Sequence, residues 1–157
     1  MPTTPQSDGN SAPPAATNTT QAPATVTVTW DGEQRFDAGR PDRQTIHLDG
    51  RGATGLSPVD GLLGALAACA GIDVAEILAK RRTPAKSLRI EVIGERVTTI
   101  PRRLKHVTLH FQIAGDGIDR ENAERAIDLA VNKYCSVRDS LRPDVPVEWT
   151  LELVTSD

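Results

Sequence analysis

The sequence predicts an α+β domain in which strands cover one long central helix. Three observations lead to this prediction. Short segments that alternate β-branched and polar residues open the domain, a helical pattern follows over residues 58–82, and two longer alternating segments come directly after it. Two further helical patterns and one more strand pattern complete the chain, so the predicted order is βββ-α-ββ-αα-β.

Residues 1–24 are predicted to form a disordered tail. The segment is rich in Pro, Thr, Ala, Ser and Asn and contains no Val, Ile, Leu or aromatic residue. It therefore lacks the apolar surface that would offset the entropy lost on ordering. A tail that docks within an oligomer is the alternative. The folded domain is expected to span residues 25–157.

Three short strands are predicted at the start of the domain. Residues 25–30, TVTVTW, alternate polar and β-branched side chains, and the Asp31-Gly32 pair after them is a strong hairpin signal. The second strand, EQRFDA, continues on the far side of this turn. The third is predicted at residues 44–48, QTIHL, which an Asp-Gly pair ends.

The long helix has clear boundary signals. Ser57 is a favourable N-cap, a proline suits the first turn after it, and Asp60 complements the helix dipole. Apolar residues recur at spacings of three and four until Pro84 stops the pattern. Small residues around Cys69, among them three glycines, lower the helix propensity and let other backbone approach closely. We therefore expect this helix to be buried on most sides.

The remaining strands are predicted from alternation. Residues 87–97 and 104–114 form two longer strands, joined as a hairpin through residues 98–103. Residues 145–154, VPVEWTLELV, form the last strand. The hairpin and the last strand follow the long helix, so we expect them to pack against it.

Two helices are predicted between the long hairpin and the last strand. Asp119 caps a helix over residues 120–135, whose apolar positions form one stripe. Ser136 is the candidate N-cap of a short helix over SVRDSL, directly after Cys135. This second cysteine thus lies at a junction between two helices.

Composition narrows the functional classes. Charged residues make up 25% of the 157-residue chain, and the formal net charge is −3 with both signs interspersed. No basic stripe indicates a nucleic-acid surface, and aromatic residues, at 3%, are too few for a base-stacking platform. The sequence shows no long apolar run typical of a membrane span and no secretory signal. We expect a cytoplasmic protein with no nucleic-acid and no membrane partner.

The chain has two cysteines, Cys69 and Cys135, too far apart in sequence for a zinc knuckle or a CxxC motif. In a cytoplasmic protein, a pair that forms a disulfide is more often catalytic or redox-sensing than structural. If folding brings the two together, the natural chemistry is oxidation of one thiolate and its resolution by the second thiol. The alternative is that the two cysteines are small buried hydrophobic residues with a structural role only.

Two segments resemble the OsmC/Ohr family, the osmotically inducible and organic hydroperoxide resistance proteins. SPVDGLLGALAACAGIDVAEILAKRR, residues 57–82, resembles the helix that carries the first cysteine of that family. AIDLAVNKYCSVRDSLRPDVPVEWTLEL, residues 126–153, resembles its second-cysteine segment and last strand. The similarity runs from residue 25 to the end of the chain, in the order that the family has.

The resemblance implies an intertwined homodimer with two long helices at its centre and an active site at each subunit interface. It also implies thiol-dependent reduction of organic hydroperoxides, with a lipoylated protein or a small dithiol as reductant and with no bound cofactor or metal. In the expected cycle, the Cys69 thiolate attacks the peroxide and Cys135 condenses with the resulting sulfenic acid. A dithiol then reduces the disulfide. The short helix after Cys135 is expected to favour its thiolate.

A thiolate at neutral pH needs support, because burial alone raises the pKa of a thiol. In the family, this support is an arginine from the N-terminal strands. Arg35, Arg40, Arg43 and Arg51 are all candidates here, and Arg40 and Arg51 are preferred because each lies in a glycine-containing loop. Asp60 is the candidate acid that orients the arginine through a bidentate pair.

One position departs from the Ohr branch, which has an acid directly after the helix-opening proline. This chain has Val59 there and Asp60 one position later, a spacing that resembles the general OsmC-like subgroup. The departure motivates an alternative, a module that binds a hydrophobic or thiol-bearing small molecule with little turnover. A stress-related dimer with inert thiols is a third hypothesis. A metal site at His47, His106 and His110 is disfavoured, because the sequence has no HExxH motif and no Cys/His cluster.

Overall fold

The structure, a computed structural model, describes residues 22–155. It contains two three-stranded sheets, one long helix and two shorter helices. The predicted α+β class and the order βββ-α-ββ-αα-β are confirmed. All but the last three residues of the predicted tail at residues 1–24 lie outside the described range, so the tail and the domain boundary stay predictions.

The first sheet is an antiparallel meander of short strands. It contains β1 (Thr27–Trp30), β2 (Arg35–Gly39) and β3 (Ile46–Asp49), in that spatial order. The hairpin predicted at Asp31-Gly32 is present, with β1 and β2 paired across it. Gly32 has a φ of 86°, which a residue with a Cβ rarely adopts, so the glycine is needed for this turn.

A buried carboxylate organises the loop after β3. Asp49 accepts hydrogen bonds from the backbone N–H groups of Arg51 (2.9 Å), Ala53 (3.1 Å) and Thr54 (3.0 Å), and from the Thr54 hydroxyl (2.9 Å). These bonds, first of all the one from Arg51, lower the pKa of Asp49 to about 2. The loop that carries Arg51 is therefore held in place by hydrogen bonds from its backbone to the Asp49 side chain.

The long helix, α1 (Pro58–Lys80), begins as predicted. Ser57 and Asp60 form a capping box, in which the Asp60 N–H donates to Ser57 Oγ (3.2 Å) and the Ser57 N–H donates to Asp60 Oδ2 (3.0 Å). The helix ends two residues earlier than predicted, because Arg82 takes a positive φ of 65°.

One side of α1 is exposed, contrary to the expectation that the helix is buried on most sides. Leu66, Val74 and Leu78 are fully buried, whereas Leu62 and Ile72 are 41% and 61% exposed. Apolar residues occur on several sides of the helix, so the sequence pattern alone does not indicate which of them face this chain's own core. The helix is also long and apolar enough to span a membrane by length and composition alone, which the sequence analysis overlooked. Core helices have the same property, and α1 contributes to the core here.

The second sheet provides the other half of the core. It contains β4 (Ser87–Arg96), β5 (Leu104–Ala114) and β6 (Val147–Leu153), with β5 in the centre. The strands β4 and β5 form the predicted hairpin, whereas β6 pairs with β5 in parallel. A parallel pair needs a long crossover, and the two shorter helices supply it. Phe111 on β5 is 1% exposed and belongs to the main core.

The crossover is less regular than predicted. The helix expected over residues 120–135 is α2 (Arg120–Leu129), with the predicted cap at Asp119, and a π-helical turn then runs over Ala130–Tyr134. The short helix is α3 (Ser136–Asp139). Its N-cap is Cys135, not Ser136 as predicted, because the cysteine sulfur accepts the hydrogen bond of the Arg138 N–H at 3.4 Å.

The two tryptophans lie in different parts of the molecule. Trp30, on β1, is 65% exposed, and its indole N–H donates to the carbonyl oxygen of Glu33 at 3.0 Å. Trp149, on β6, is partly buried and packs against the main core. The first sheet thus keeps an aromatic side chain at the surface, while the second sheet buries most of one.

Candidate active site

Folding brings the two cysteines together. Cys69 lies in the middle of α1, and Cys135 lies between the π-helical turn and α3. Both are free thiols, Cys69 half-buried and Cys135 only 3% exposed. The two side chains pack in one apolar cluster and each affects the pKa of the other. The Cys135 thiol donates a hydrogen bond to the carbonyl oxygen of Leu66, one turn before Cys69, at 3.9 Å. Two thiols distant in sequence therefore share one site.

An apolar cluster surrounds the pair. Its buried members come from α1, β5 and the crossover, and the Val59 side chain packs at its edge. The buried residues besides Cys135 are Leu63, Leu66, Leu104, Val107 and Val145. An acid at position 59 would contact this apolar cluster, so the departure from the Ohr pattern matches its surroundings here.

The hydrogen bonds divide the two thiols into unequal partners. Burial raises the pKa of Cys69, but hydrogen bonds from the Cys135 thiol, the Val137 N–H and the Ser136 side chain outweigh this, so its pKa lies below the ordinary value. Burial, and then the neighbouring Cys69 thiol, raise the pKa of Cys135 to about 11. At neutral pH, Cys69 is the thiol favoured to ionise and Cys135 is the proton donor.

This arrangement corrects one expectation. The backbone at the start of α3 was expected to favour the thiolate of Cys135, the residue before it. The Arg138 and Val137 N–H groups do lower the pKa of Cys135, but burial outweighs them and keeps this thiol protonated. The Val137 N–H also lowers the pKa of Cys69. The net effect differs from the expectation because Cys135 is only 3% exposed, and adjacency in sequence does not reveal this burial.

Arg40 and Arg51 lie in loops that follow strands of the first sheet. Arg40 follows β2 and lines a groove with residues 22–25, while the Arg51 guanidinium is 3.8 Å from the Glu33 carboxylate. Within residues 22–155, neither guanidinium is among the groups that hydrogen bond to the two sulfurs. The single chain therefore does not bring them to the cysteines, and their catalytic assignment stays a prediction.

Asp60 is engaged in the helix cap. The hydrogen bonds from the Ser57 side chain and backbone lower its pKa, and the charge of Arg96 lowers it further. Arg96, rather than Arg40 or Arg51, is thus the arginine whose charge acts on this carboxylate. A catalytic role for Asp60 stays a prediction beside this structural one.

The sequence analysis missed Arg138. Its backbone N–H donates to Cys135 Sγ, and its guanidinium Nε is buried with no hydrogen-bond partner in the part of the chain that the structure describes. The spacing Cys135-x-x-Arg138, about one helical turn, is a signal that places this arginine beside the cysteine.

The three histidines do not form one metal site. His47 Nδ1 lies 2.8 Å from Asp37 and its Nε2 lies 3.1 Å from Thr54. The other two bond to different partners: His106 contacts Glu95 and Glu148, and His110 bonds to Thr150. Asp31 joins Asp37 and His47 with ligand atoms within 4.8 Å of one another. Since both ring nitrogens of His47 already have partners, hydrogen bonding accounts for this cluster.

Comparison with known proteins shows the family. The profile of OsmC-like proteins matches residues 49–150, well over half of the chain, and this range includes both cysteines. The chain belongs to the OsmC-like family. The resemblance recognised from the two cysteine segments is thereby confirmed. Among curated relatives of this chain, protein YhfA of Escherichia coli K12 is 34% identical over 130 residues, covering 82% of this chain and 97% of YhfA.

Solved structures support the OsmC-like fold. An OsmC-like protein from Mycoplasma pneumoniae superposes with a TM-score of 0.73 at 21% identity, covering 85% of this chain and 98% of its own. An organic hydroperoxide resistance protein from Legionella pneumophila gives 0.63 at 18% identity, with coverages of 84% and 99%. The OhrB protein of Bacillus subtilis gives 0.58 at 19% identity, with coverages of 83% and 98%. At these identities the likeness concerns the fold alone.

The unequal pKa values of this OsmC-like pair predict selective alkylation. Between pH 6 and 9, iodoacetamide is expected to label Cys69 with a midpoint below that of an ordinary thiol, while Cys135 reacts only as the pH approaches its pKa of about 11. In Cys135→Ala, the Cys69 midpoint should move upward, because the donated hydrogen bond is lost. Mass spectrometry of both peptides across the pH range measures this, and equal labelling of the two cysteines at pH 7.5 would contradict it.

Proposed function

We propose that this protein is a thiol peroxidase that reduces organic hydroperoxides in defence against oxidative stress. The observation that supports this most directly is the pair of thiols packed in one apolar cluster, in which one sulfur is favoured as thiolate and the other keeps its proton. A nucleophilic thiolate beside a second thiol is what peroxide reduction with disulfide formation requires. Membership of a family with Ohr proteins among its structural neighbours supports the same substrate class.

The proposed cycle uses the two sulfurs in different roles. The Cys69 thiolate attacks the terminal oxygen of the hydroperoxide, the O–O bond breaks, and the alkoxide takes a proton and leaves as an alcohol. Cys69 is then a sulfenic acid. The Cys135 sulfur attacks it, an S–S bond forms, and water leaves. A dithiol reduces this disulfide in two exchange steps and becomes a cyclic disulfide itself, which restores both thiols.

The proposal includes a cytoplasmic homodimer. Apolar side chains are exposed on one side of α1 and on the first sheet, where Val28, Trp30 and Ile46 are 57%, 65% and 60% exposed. Exposed apolar surface of this extent is typical of an interface. An intertwined second copy is the arrangement that would cover this surface and bring Arg40 or Arg51 of one subunit towards the cysteines of the other. Light scattering should give about twice the 16.9 kDa chain mass.

Peroxide treatment tests the proposed function. One equivalent of cumene hydroperoxide should convert the reduced protein to a Cys69–Cys135 disulfide, and a lipoylated protein domain or a small dithiol should reduce it again. Peptide mapping under non-reducing conditions identifies the bond. Two free thiols after excess hydroperoxide would refute the peroxidase.

A binding module with little turnover is the second candidate. The observation that favours it is an apolar groove of about 300 Å³ close to the cysteine cluster, with arginines at its rim. Its apolar lining residues are Val59, Leu62, Leu104, Leu141 and Val145, and its arginines are Arg102, Arg103 and Arg142. A small molecule retained in native mass spectrometry, together with a peroxide rate no higher than that of a cysteine-free variant, would favour this function over the peroxidase.

A further inference from the structure

A second groove, of about 400 Å³, opens onto Cys135 and not onto Cys69. It is formed by one continuous stretch of chain, the π-helical turn and α3. Its lining residues are Val131, Asn132, Lys133, Tyr134, Cys135, Ser136, Arg138 and Asp139. The proposed cycle assigns no molecule to this groove, because the peroxide reacts at the other sulfur. A molecule bound here would meet the resolving sulfur.

The groove contains the cationic side chain of Arg138, which has an unsatisfied hydrogen-bond donor. The Nε of Arg138 is buried without a hydrogen-bond partner, and within residues 22–155 its guanidinium forms no ion pair. A buried donor of this kind is costly unless a ligand satisfies it, and a guanidinium fits a carboxylate in a bidentate arrangement. Lys133 adds a second cation, and its ammonium lies 5.5 Å from the ring centroid of Tyr134. One carboxylate, Asp139, offsets these two cations only in part.

The shape of the groove indicates what accompanies the carboxylate. The Tyr134 side chain, 51% exposed, offers apolar surface beside the cations. An alkyl stem can lie on this surface while an acidic end reaches Arg138 and a sulfur end reaches Cys135. This combination of an acid, an apolar stem and a thiol describes a reductant rather than a peroxide.

We infer that this groove is the entry site for the reductant, and that it selects a dithiol that carries a carboxylate, which Arg138 binds. The inference rests on the proposed function, since it assigns the reducing half of the same cycle. A reductant thiolate attacks the Cys135 sulfur of the disulfide, the S–S bond breaks, and Cys69 leaves as the thiolate. The second reductant thiol then displaces Cys135, which takes a proton, and the reductant leaves as a cyclic disulfide.

The direction of attack agrees with the acidities of the two thiols. In thiol–disulfide exchange, the sulfur with the lower pKa is the better leaving group. The hydrogen bonds at Cys69 lower its pKa, so attack on Cys135 expels the better leaving group. The groove therefore gives access to the sulfur at which exchange is faster.

A pair of matched dithiols tests the inference. The disulfide is formed with diamide, so the assay does not depend on reactivity with peroxide, and its reduction is followed with dihydrolipoate and with the neutral dihydrolipoamide at pH 7. The wild-type protein should react with dihydrolipoate about tenfold faster, the ratio expected for one charge-assisted contact. Arg138→Gln should bring the two rates close together, and Arg138→Lys should retain part of the preference.

Controls keep the test specific. Arg125, an exposed arginine on α2 outside the groove, gives the charge-matched variant Arg125→Gln, which should keep the full preference. If Arg138→Gln does not fold, the salt dependence of the wild-type rates replaces it, because only the dihydrolipoate rate should fall as NaCl increases. Equal wild-type rates for the two dithiols, a preference that survives Arg138→Gln, or no Cys69–Cys135 disulfide with diamide would each overturn the inference. Loss of peroxide reactivity alone would overturn only the proposed function.

The carboxylate can belong to a small molecule or to a protein that carries the dithiol. Reduced lipoyl-lysine peptides flanked by glutamates or by glutamines distinguish these sources. Faster reduction with the glutamate peptide assigns the carboxylate to a carrier protein, whereas a preference confined to free dihydrolipoate assigns it to a small molecule.

Discussion

Cys69→Ser is expected to lower kcat/KM for cumene hydroperoxide at least about 1000-fold, to the level of the buffer, because the serine hydroxyl is not ionised at neutral pH. Cys135→Ser should behave differently. It should consume one equivalent of peroxide and stop as the Cys69 sulfenic acid, since no resolving thiol is present. Stopped-flow peroxide consumption and dimedone trapping followed by mass spectrometry separate the two variants.

The contrast between the two serine variants is the decisive part of this prediction. Both substitutions replace sulfur by oxygen, but Cys69 is half-buried and Cys135 is buried, so the folding of each variant is checked separately. Circular dichroism provides the check on folding. Full peroxide consumption by Cys69→Ser, with dimedone adducts appearing on Cys135, would reverse the assignment of the two roles.

Phe111→Ala is expected to destabilise the protein by about 3–5 kcal/mol, the range for a fully buried phenylalanine. Phe111 is 1% exposed on the central strand β5, and α1, α2 and both neighbouring strands contribute to the core that surrounds it. The cavity left behind would have no route to collapse without moving one of these elements. Urea denaturation measures the change in the free energy of unfolding. The protein concentration is kept fixed, because the stability of an oligomer depends on it.

Two further variants serve as controls for this stability prediction. Phe111→Leu keeps most of the volume and should cost clearly less than the alanine variant. Ile100→Ala, at a side chain 90% exposed in the loop between β4 and β5, should change stability by less than about 0.5 kcal/mol. A small effect of Phe111→Ala, similar to that of Ile100→Ala, would contradict the described core.

Much of the fold could be predicted because its signals are local. The Asp31-Gly32 turn, the Ser57 cap with Asp60 and the Asp119 cap each depend on a few neighbouring residues, and all three are present. The parallel pairing of β6 could not be read from alternation, because the period of a strand is the same in both orientations. The π-helical turn at residues 130–134 also has no pattern of its own that separates it from a longer helix.

The candidate site was only partly predictable for the same reason. The two cysteine segments identified the family, and folding brings both sulfurs together. Which thiol is favoured to ionise depends on how deeply each sulfur is buried and on the interaction between two thiols far apart in sequence. The buried Nε of Arg138, which has no hydrogen-bond partner within residues 22–155, is likewise visible only once its surroundings are known.

The placement of the two tryptophans gives the molecule two separate optical reporters. Trp30 lies at the surface of the first sheet and Trp149 lies against the core of the second. Fluorescence emission from a Trp149→Phe variant follows the environment of the first sheet and shifts to the blue when a partner covers β1. Emission from a Trp30→Phe variant follows the melting of the core. Docking of the small sheet and unfolding of the main body can therefore be timed independently in one protein.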